Sequence, residues 1–289
     1  MLINRAERRG YMYRIIKKEI LNPDVELMVV HAPYVARKCE PGQFIILRVD
    51  EDGERIPLTI ADYDRKKETV TIIYQVVGYS TKKLSNKNEG DFINDFVGPL
   101  GQPAPIHKVK RVLGIGGGVG IAPLYPQMKK MKDLGVQVDV LLGGRTNKHI
   151  IMENMFEEFV DNIYYATNDG SKGIKGFVTD KLLELLENGE KYDLVVAIGP
   201  LVMMKAIVNI TKENNIKTNV SLNPIMIDGT GMCGGCRVTV GGETKFACVD
   251  GPDFDGFLVD FDECMQRQSM YKEEEEHICR IGIGDGNNA

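Results

Sequence analysis

Short apolar runs separated by turn residues dominate the first part of the chain. Between residues 12 and 98 they include residues 43–48 and 70–77, which are rich in β-branched and aromatic side chains. Several short strands at this spacing are typical of an antiparallel barrel. The pattern predicts an N-terminal antiparallel β-barrel domain over residues 1–105, which ends in the Pro/Gly-rich segment 98–105.

The pattern changes in the middle of the chain. Strand-like apolar runs at residues 136–142 and 194–198 alternate with helix-like stretches at residues 123–134 and 179–187. This alternation is typical of a parallel sheet with helices between its strands. We therefore predict a Rossmann-like α/β domain over residues 106–222.

Regular periodicity fades after residue 222, where four of the six cysteines fall between Cys233 and Cys264. A segment of residues 223–262 is too short to build its own core, so a bound group is expected to hold it together. Residues 263–289 are predicted to form a polar helix and a Gly/Asn-rich tail. The run Glu273 to Glu276 within them is interpreted as a solvated face.

Composition excludes several function classes. A chain of 289 residues is long enough for two compact domains and a small appendage. The net charge of −5, without a basic stripe, argues against nucleic-acid binding. No apolar run approaches the roughly 20 residues of a membrane helix. The charged N-terminus lacks the apolar stretch of a secretory signal, so we expect a cytoplasmic protein whose cysteines are thiols or ligands.

The most informative motif is Asp-x4-Cys-x2-Cys-x11-Cys, formed by Asp228, Cys233, Cys236 and Cys248. With cysteine in place of the aspartate, this is the order of a plant-type [2Fe–2S] site. Glycines between the cysteines allow backbone N–H groups to approach the cluster sulfides. The motif predicts a [2Fe–2S] cluster held by these four residues.

Three alternatives to this ligand set stay open. A zinc ion accepts a shell of cysteine and aspartate ligands. The cysteines are also compatible with unligated thiols, and Cys264 or Cys279 is an alternative fourth ligand if the chain folds back. A carboxylate ligand is harder and more easily protonated than a thiolate, so Asp228 is expected to alter the cluster's potential and its dependence on pH.

A glycine-rich loop opens the predicted α/β domain. Residues 111–123 are an apolar strand, a run of glycines and a helix start with Pro123 in its first turn. Such a turn lets backbone N–H groups bind a pyrophosphate at a helix N-terminus. A purely structural turn is the alternative. No acidic residue ends the next strand, where Arg145 follows two glycines, so the choice between NAD and NADP stays open.

Two further segments, residues 53–60 and 77–84, are unremarkable strand ends by themselves. Taken in order with the glycine loop and the cysteines, they resemble the ferredoxin–NADP reductase superfamily, whose barrel binds FAD through an R-x-P-[LI]-[ST]-like strand and a later G-x-[GS]-T segment. The cysteine segment resembles that of type B dihydroorotate dehydrogenase electron-transfer subunits. Because Asp228 replaces a cysteine, it resembles still more the small-subunit family of NADH-dependent ferredoxin:NADP⁺ oxidoreductases, also described as sulfide dehydrogenase beta subunits.

The resemblance implies a set of cofactor-binding residues. FAD would be held by Ile56, Pro57, Leu58, Thr59, Ile73, Tyr74, Gln75, Ser80 and Thr81, with the Thr59 hydroxyl near the reactive flavin nitrogen. NAD(H) would be held by Gly116, Gly117, Gly118, Val119, Gly120, Ile121, Ala122, Pro123, Asn168, Asp169, Gly170, Ser171, Gly199, Pro200 and Met203. Two departures, Ile198 for a cysteine and Ser80 for a glycine, are expected to change only the pocket shape.

The function implied by the resemblance is hydride exchange between NAD(H) and FAD and single-electron exchange with the [2Fe–2S] cluster. The implied partner is a larger flavoprotein subunit with further iron–sulfur centres and an NADP(H) site, which would reach ferredoxin by electron bifurcation. No catalytic side chain is predicted, since the four histidines form no constellation with a nucleophile. The alternatives are a dihydroorotate dehydrogenase electron-transfer subunit and a redox module of another oxidoreductase complex.

Overall fold

The computed structural model describes residues 13–270. The first unit is an antiparallel sheet that curls into a near-barrel. Its strands are β1 (Tyr13–Asn22), β2 (Val25–His31), β3 (Phe44–Arg48), β4 (Arg55–Asp64), β5 (Thr69–Gln75), β6 (Phe92–Ile93) and β7 (Asp95–Leu100). They pair in the order β6-β1-β2-β5-β4-β3-β7, so β6 and β7 are edges and the barrel stays open. Two short helices, α1 (Pro33–Ala36) and α2 (Tyr79–Ser85), join its strands.

The near-barrel has an apolar interior of its own, which confirms the predicted N-terminal antiparallel unit. Ile45, Leu47 and Ile72 are fully buried there. Cys39 lies in the same cluster, and burial raises the pKa of its thiol to about 12. Cys39 therefore packs as a small apolar side chain.

The second unit is a sheet whose central strands are parallel. Its strands are β8 (Arg111–Gly117), β9 (Gln137–Gly144), β10 (Asn162–Thr167), β11 (Ile174–Lys175), β12 (Leu194–Ile198) and β13 (Lys217–Ser221). The intervening helices are α3 (Ile121–Asp133), α4 (Glu153–Glu157), α5 (Val178–Glu187) and α6 (Leu201–Glu213). The order β11-β10-β9-β8-β12-β13 confirms the predicted Rossmann-like parallel sheet. No helix in residues 13–270 is both long and apolar enough to cross a membrane.

Helix α3 joins the two units. Its side chains Leu124 and Met128 are fully buried in a cluster that also contains Leu27 and Ile73 of the near-barrel. The helix begins at Ile121, two residues earlier than the periodicity predicts, and Pro123 lies in its first turn, where its missing N–H leaves no hydrogen bond unmade. Burial on both sides fixes the orientation of the glycine loop relative to β5.

The third unit is built on the other two. It contains the hairpin β14 (Arg237–Val240) and β15 (Glu243–Phe246), the strand β16 (Asp253–Asp255) and the helix α7 (Phe261–Gln268). Strand β16 pairs antiparallel with β13, so this unit extends the parallel sheet instead of standing apart from it. The Asp260 carboxylate accepts a hydrogen bond from the Glu263 N–H and caps α7. The acidic run Glu273 to Glu276 lies outside the described residues.

One carboxylate lies where all three units meet. The Asp253 oxygens accept hydrogen bonds from the Gln127 Nε2 of α3 at 3.2 and 3.3 Å. A Cβ atom on Gly42, in the loop before β3, would lie 2.6 Å from Asp253 Oδ2. Burial raises the pKa of Asp253 to about 7, while Gln127 and Ser221 lower it by hydrogen bonding. An ionised Asp253 is therefore costly at this junction.

We expect Asp253→Asn to remove a pH dependence of stability. The folded chain binds this proton more tightly than an unfolded chain with the ordinary pKa of 3.8. The contribution is complete below about pH 4 and is lost as the pH rises through about 7, at up to about 1.4 kcal/mol per pH unit. Thermal midpoints from pH 5 to 8 test this. Asp255→Asn, an exposed change on the same strand, is the control and should keep the wild-type profile.

Candidate functional site: a dinucleotide cleft and a cysteine loop

A large cleft lies between the near-barrel and the parallel sheet, with a volume of about 1060 Å³. It opens at the carboxyl ends of β8 and β12, where the strand order reverses, because β9 lies on one side of β8 and β12 on the other. Ligands of open α/β sheets bind at such a switch point. Strands β4 and β5 form the facing wall of the cleft.

The glycine loop fits a pyrophosphate. Gly118 has a φ of +57°, and a Cβ atom there would meet no atom within 4 Å, so its backbone faces open space in the cleft. Gly120 is packed instead: a Cβ atom would lie 2.4 Å from the carbonyl oxygen of Ile198. The first glycine leaves room for a ligand and the second lets α3 begin against β12. Such a helix start, with open space beside it, is suited to bind an anionic group through backbone N–H groups.

The β12 side of the cleft is closed by Met203. A Cβ atom on Gly117 would lie 2.4 Å from the Met203 sulfur, and one on Gly199 would lie 2.5 Å from its Cε. The methionine therefore bridges the ends of β8 and β12, and a side chain at either glycine would displace its thioether. A flexible thioether suits the floor of a pocket for a flat ring.

Hydrogen bonds within the near-barrel hold its wall of the cleft in place. The Tyr74 hydroxyl donates to Glu26 at 2.7 Å, and burial together with this bond raises the pKa of Tyr74. The Thr81 hydroxyl oxygen accepts the backbone N–H groups of Val77 and Gly78, both at 3.0 Å, at the start of α2. Both side chains hold the wall in place and stay neutral.

Most of the residues predicted from the sequence come together in this cleft. Those that line it are Pro57, Leu58, Thr59, Ile73, Tyr74, Gln75, Thr81, Gly117, Gly118, Val119, Gly120, Pro123, Arg145, Asn168, Gly199, Pro200 and Met203. The predicted residues outside its lining are Ile56, Ser80, Gly116, Ile121, Ala122, Asp169, Gly170 and Ser171.

The residues outside the lining have structural partners. Ile56 packs on the near-barrel core, and Ser80 donates to Glu54 at 3.1 Å. Ile121 is buried at the start of α3. The Asp169 carboxylate accepts the Ser171 hydroxyl at 2.6 Å and closes a turn beside the cleft. Their roles are to shape the loops that carry the lining residues.

Sequence reasoning missed several lining residues. Phe44 of β3, His149 after β9 and Phe177 before α5 line the cleft from segments without a recognisable motif. The third unit also contributes a set of residues, namely Asn223, Met226, Pro252, Met265 and Gln268. Their sequence signal is only that they flank the cysteine motif, and the folding of that unit onto the cleft brings them there.

The cysteine loop brings two of its predicted ligands, Cys236 and Cys248, together. The sulfurs of Cys236 and Cys248 are 3.2 Å apart. Burial is the largest cause that raises the pKa of Cys248 to about 12, and the hydrogen bond with the Cys236 thiol is the next. The Asp228 carboxylate accepts the N–H groups of Thr230 and Cys233, both at 2.7 Å, and these bonds lower its pKa. Cys233 is exposed in the same loop. Within residues 13–270, no three Cys, His, Asp or Glu side chains already converge on one point as a formed metal site.

The donors suit an iron–sulfur cluster more than isolated thiols. The Cys248 N–H lies 3.5 Å from the Cys236 sulfur and the Gly235 N–H lies 3.4 Å from the Cys233 sulfur, as backbone donors around a cluster do. Cys264 is buried in α7, and burial raises the pKa of its thiol to about 11. Cys279 lies outside the described residues.

Two family models match the parts of the chain that form this site. A family model described as "Oxidoreductase NAD-binding domain" matches residues 115–209, and one described as "Iron-sulfur cluster binding domain of dihydroorotate dehydrogenase B" matches residues 223–260. A Thermotoga maritima relative, named a homolog of the dihydroorotate dehydrogenase B (NAD(+)) electron transfer subunit, is 47% identical over 262 residues, which cover 91% of this chain and 92% of the relative. The chain belongs to the family of dihydroorotate dehydrogenase B electron transfer subunits and their homologues.

One further sequence relative and one solved structure are also similar to this chain over most of its length. The dihydroorotate dehydrogenase B (NAD(+)) electron transfer subunit of Shouchella clausii is 34% identical, over 86% of this chain and 96% of its own. A chain from the structure of the NADH-dependent reduced ferredoxin-NADP oxidoreductase, reported for its insights into flavin-based electron bifurcation, is 46% identical with a TM-score of 0.89, over 94% of this chain and 98% of that one. The chain is therefore an oxidoreductase subunit with an NAD-binding domain and an iron–sulfur cluster binding domain, as predicted.

Proposed function

We propose that this chain is the NAD(H)-binding, FAD- and [2Fe–2S]-carrying subunit of a cytoplasmic electron-bifurcating NADH-dependent ferredoxin:NADP⁺ oxidoreductase. One observation carries the proposal: a single cleft is lined by both β4 of the near-barrel and the glycine loop, and the cysteine unit lines it too. A flavin wall, a dinucleotide loop and residues that flank the cysteine loop in the third unit thus share one cavity. The high similarity over the whole length to the NADH-dependent reduced ferredoxin-NADP oxidoreductase chain supports it.

The chain's own residues bind and orient the reactants. The N–H groups of Gly118 to Gly120 bind the NADH pyrophosphate, and Met203 supports the nicotinamide end. Pro57 to Thr59 hold the flavin edge, and Phe44 and Met226 close the cleft around it and exclude water. When bound, FAD supplies the capacity to accept a hydride and to release electrons singly. No side chain is assigned a proton-transfer role.

The cluster is held by Asp228, Cys233, Cys236 and Cys248. The fit rests on the Cys236 and Cys248 pair, on the backbone donors beside the sulfurs, and on an aspartate already fixed by two N–H groups. Asp228 in one ligand position agrees with the resemblance of the cysteine motif to the small-subunit family of NADH-dependent ferredoxin:NADP⁺ oxidoreductases. A zinc ion would take the same three cysteines and Asp228, so iron and sulfide analysis separates the two.

As a member of this family, the chain is one subunit of a multi-subunit electron-transfer complex. Its partner is proposed to be a larger flavoprotein subunit with iron–sulfur centres and an NADP(H) site, which passes electrons to ferredoxin. An isolated chain is then expected to accept electrons from NADH and to lack NADP⁺ and ferredoxin reduction.

Electron transfer to a dihydroorotate dehydrogenase is the second candidate. It is favoured by the names of the relatives that are 34% to 47% identical and by the cluster-domain match. The two candidates differ in their partner and not in this chain's chemistry. Affinity purification from the native cell separates them, since one partner binds orotate and the other binds NADP(H).

An anaerobic visible spectrum of the purified chain tests the proposal. We expect flavin bands, about two iron and two sulfide per chain, and bleaching by NADH at a rate well above that with NADPH. Arg145 lines the cleft after β9 and makes the comparison with NADPH necessary. A colourless protein that contains zinc, or a flavin that NADH fails to bleach, would contradict the assignment.

A further inference from the structure

The cysteine loop lies directly on the near-barrel at Gly229, the residue after Asp228. A Cβ atom on Gly229 would lie 2.7 Å from Leu100 Cδ1 and 3.0 Å from Ile46 Cγ1. Gly229 also has a φ of +76°, a backbone conformation that residues other than glycine rarely adopt. Backbone, and not a side chain, therefore forms this contact between the third unit and strands β3 and β7.

Strand β4, which pairs with β3, lines the cleft beside this contact. Ile46 is the register partner of Pro57, and Pro57 lines the cleft. Ile46 is buried in one apolar cluster with Cys236 and Cys248. A route of neighbouring residues from the flavin wall to the ligand Asp228 thus runs through Pro57, Ile46 and Gly229.

A second contact holds the other end of the cysteine loop. The Gln102 N–H donates to the Gly251 carbonyl at 2.6 Å, and its Nε2 donates to the Val249 carbonyl at 2.8 Å. Val249 follows Cys248 in the sequence. Gln102 lies two residues after the end of β7, so both ends of the loop are fastened to the same edge of the near-barrel.

We propose that Gly229 and the Gln102 side chain are positioning residues that seat the cluster loop against the flavin wall and so set the rate of electron transfer between flavin and cluster. This inference rests on the proposed function. NADH is oxidised to NAD⁺ as its hydride reduces the flavin by two electrons. Each electron that passes on oxidises the flavin by one and reduces the cluster by one. Hydride transfer depends on the cleft alone, so only the second process is sensitive to the seating of the loop.

The test compares Gly229→Ala with Gly234→Ala in the full-length, cofactor-loaded chain. Gly234 lies in the same loop with a similar φ of +67°, but a Cβ atom there would meet the flexible end of Arg237 at 3.3 Å and Phe246 Cε1 at an ordinary contact distance of 3.8 Å. Both changes impose the same backbone strain, and only Gly229→Ala pushes the loop away from Leu100. We expect cluster reduction after NADH mixing to slow on the order of tenfold in Gly229→Ala and little in Gly234→Ala. Flavin bleaching should keep its wild-type rate in both.

Two further variants separate seating from loss of the cluster. Gln102→Ala removes a hydrogen bond without strain and should slow cluster reduction by a smaller factor at full iron content. Leu100→Ala combined with Gly229→Ala removes the nearest atom and should recover part of the lost rate. Amide hydrogen exchange gives a readout independent of turnover: Gly229→Ala and Gln102→Ala should speed exchange in residues 228–233 and 249–251, and Gly234→Ala should leave residues 249–251 unchanged.

The outcomes distinguish this inference from the proposed function. Equal slowing in Gly229→Ala and Gly234→Ala, or wild-type cluster reduction in both Gly229→Ala and Gln102→Ala, would overturn the positioning role. If Gly229→Ala fails to retain iron, the rate in Gln102→Ala decides alone. Failure of NADH to bleach the wild-type flavin would instead overturn the proposed function, which the variants do not test.

Discussion

Replacing Gly120 with valine is expected to weaken NADH binding by about 100-fold while the flavin stays bound. The first added carbon would lie 2.4 Å from the Ile198 carbonyl oxygen and 2.9 Å from the Gly199 Cα, both of them backbone atoms that cannot rotate away. The start of α3 must then move out of line with β12, and the pyrophosphate N–H groups move with it. Titration of flavin bleaching against NADH concentration measures the effect.

Two variants control for other causes of this loss. The first control is Gly135→Ala. Gly135 lies just after the other end of the same helix, where φ is +82° and no atom lies within 4 Å of an added Cβ. This substitution should cost about 1 kcal/mol of stability through strain and leave NADH binding unchanged. Gly120→Ala should weaken NADH binding less than Gly120→Val, since one methyl group requires a smaller shift of the helix start than a valine side chain. Normal NADH affinity in Gly120→Val, with a normal thermal midpoint, would show that the glycine loop does not bind the dinucleotide.

The sequence was sufficient to predict the parts of the fold that carry a period or a motif. The change from strand runs to alternating strands and helices predicted the parallel sheet, and the Asp-x4-Cys-x2-Cys spacing predicted the loop in which Cys236 and Cys248 meet. In each case the signal is local. A run of glycines after an apolar strand favours a tight strand-to-helix turn, and this preference does not depend on distant parts of the chain.

The arrangement of the three units depends on contacts between distant residues. Strand β16 has only three residues, and its pairing with β13 is set by where the third unit lies against the sheet. Phe44 enters the cleft because β3 pairs with β4, and Met265 enters it because α7 packs beside α6. Such contacts leave no period in the sequence, so the sequence predicted the small appendage but not that its strand β16 extends the main sheet.

Asp253 shows the same limit for electrostatics. Its neighbours in sequence are ordinary, and only the fold brings Gln127 and Gly42 to its carboxylate. A pKa that burial raises to about 7 follows from three segments that are far apart in the chain. Sequence reasoning has no access to such a group until the packing is known.

Replacing Cys248 with alanine is expected to remove nearly all iron and sulfide from the chain while NADH still bleaches the flavin. Cys248 is 2% exposed and its sulfur lies 3.2 Å from that of Cys236, so a cluster bound there loses a ligand that no water can replace. Iron and acid-labile sulfide analysis, with the visible spectrum before and after NADH, measures both halves of the result. Cys39→Ala, a fully buried thiol of the near-barrel, is the matched control and should keep the cluster.

The same assay identifies the fourth ligand. If Asp228 is the ligand, Asp228→Ala should lose the cluster, Asp228→Cys should keep it with an altered spectrum, and Cys264→Ala should resemble the wild type. Loss of iron in Cys264→Ala together with retention in Asp228→Ala would transfer the ligand role to α7. Zinc in place of iron and sulfide in the wild-type chain would contradict the proposed electron transfer. A zinc ion has no redox chemistry, so it could not accept electrons from the flavin.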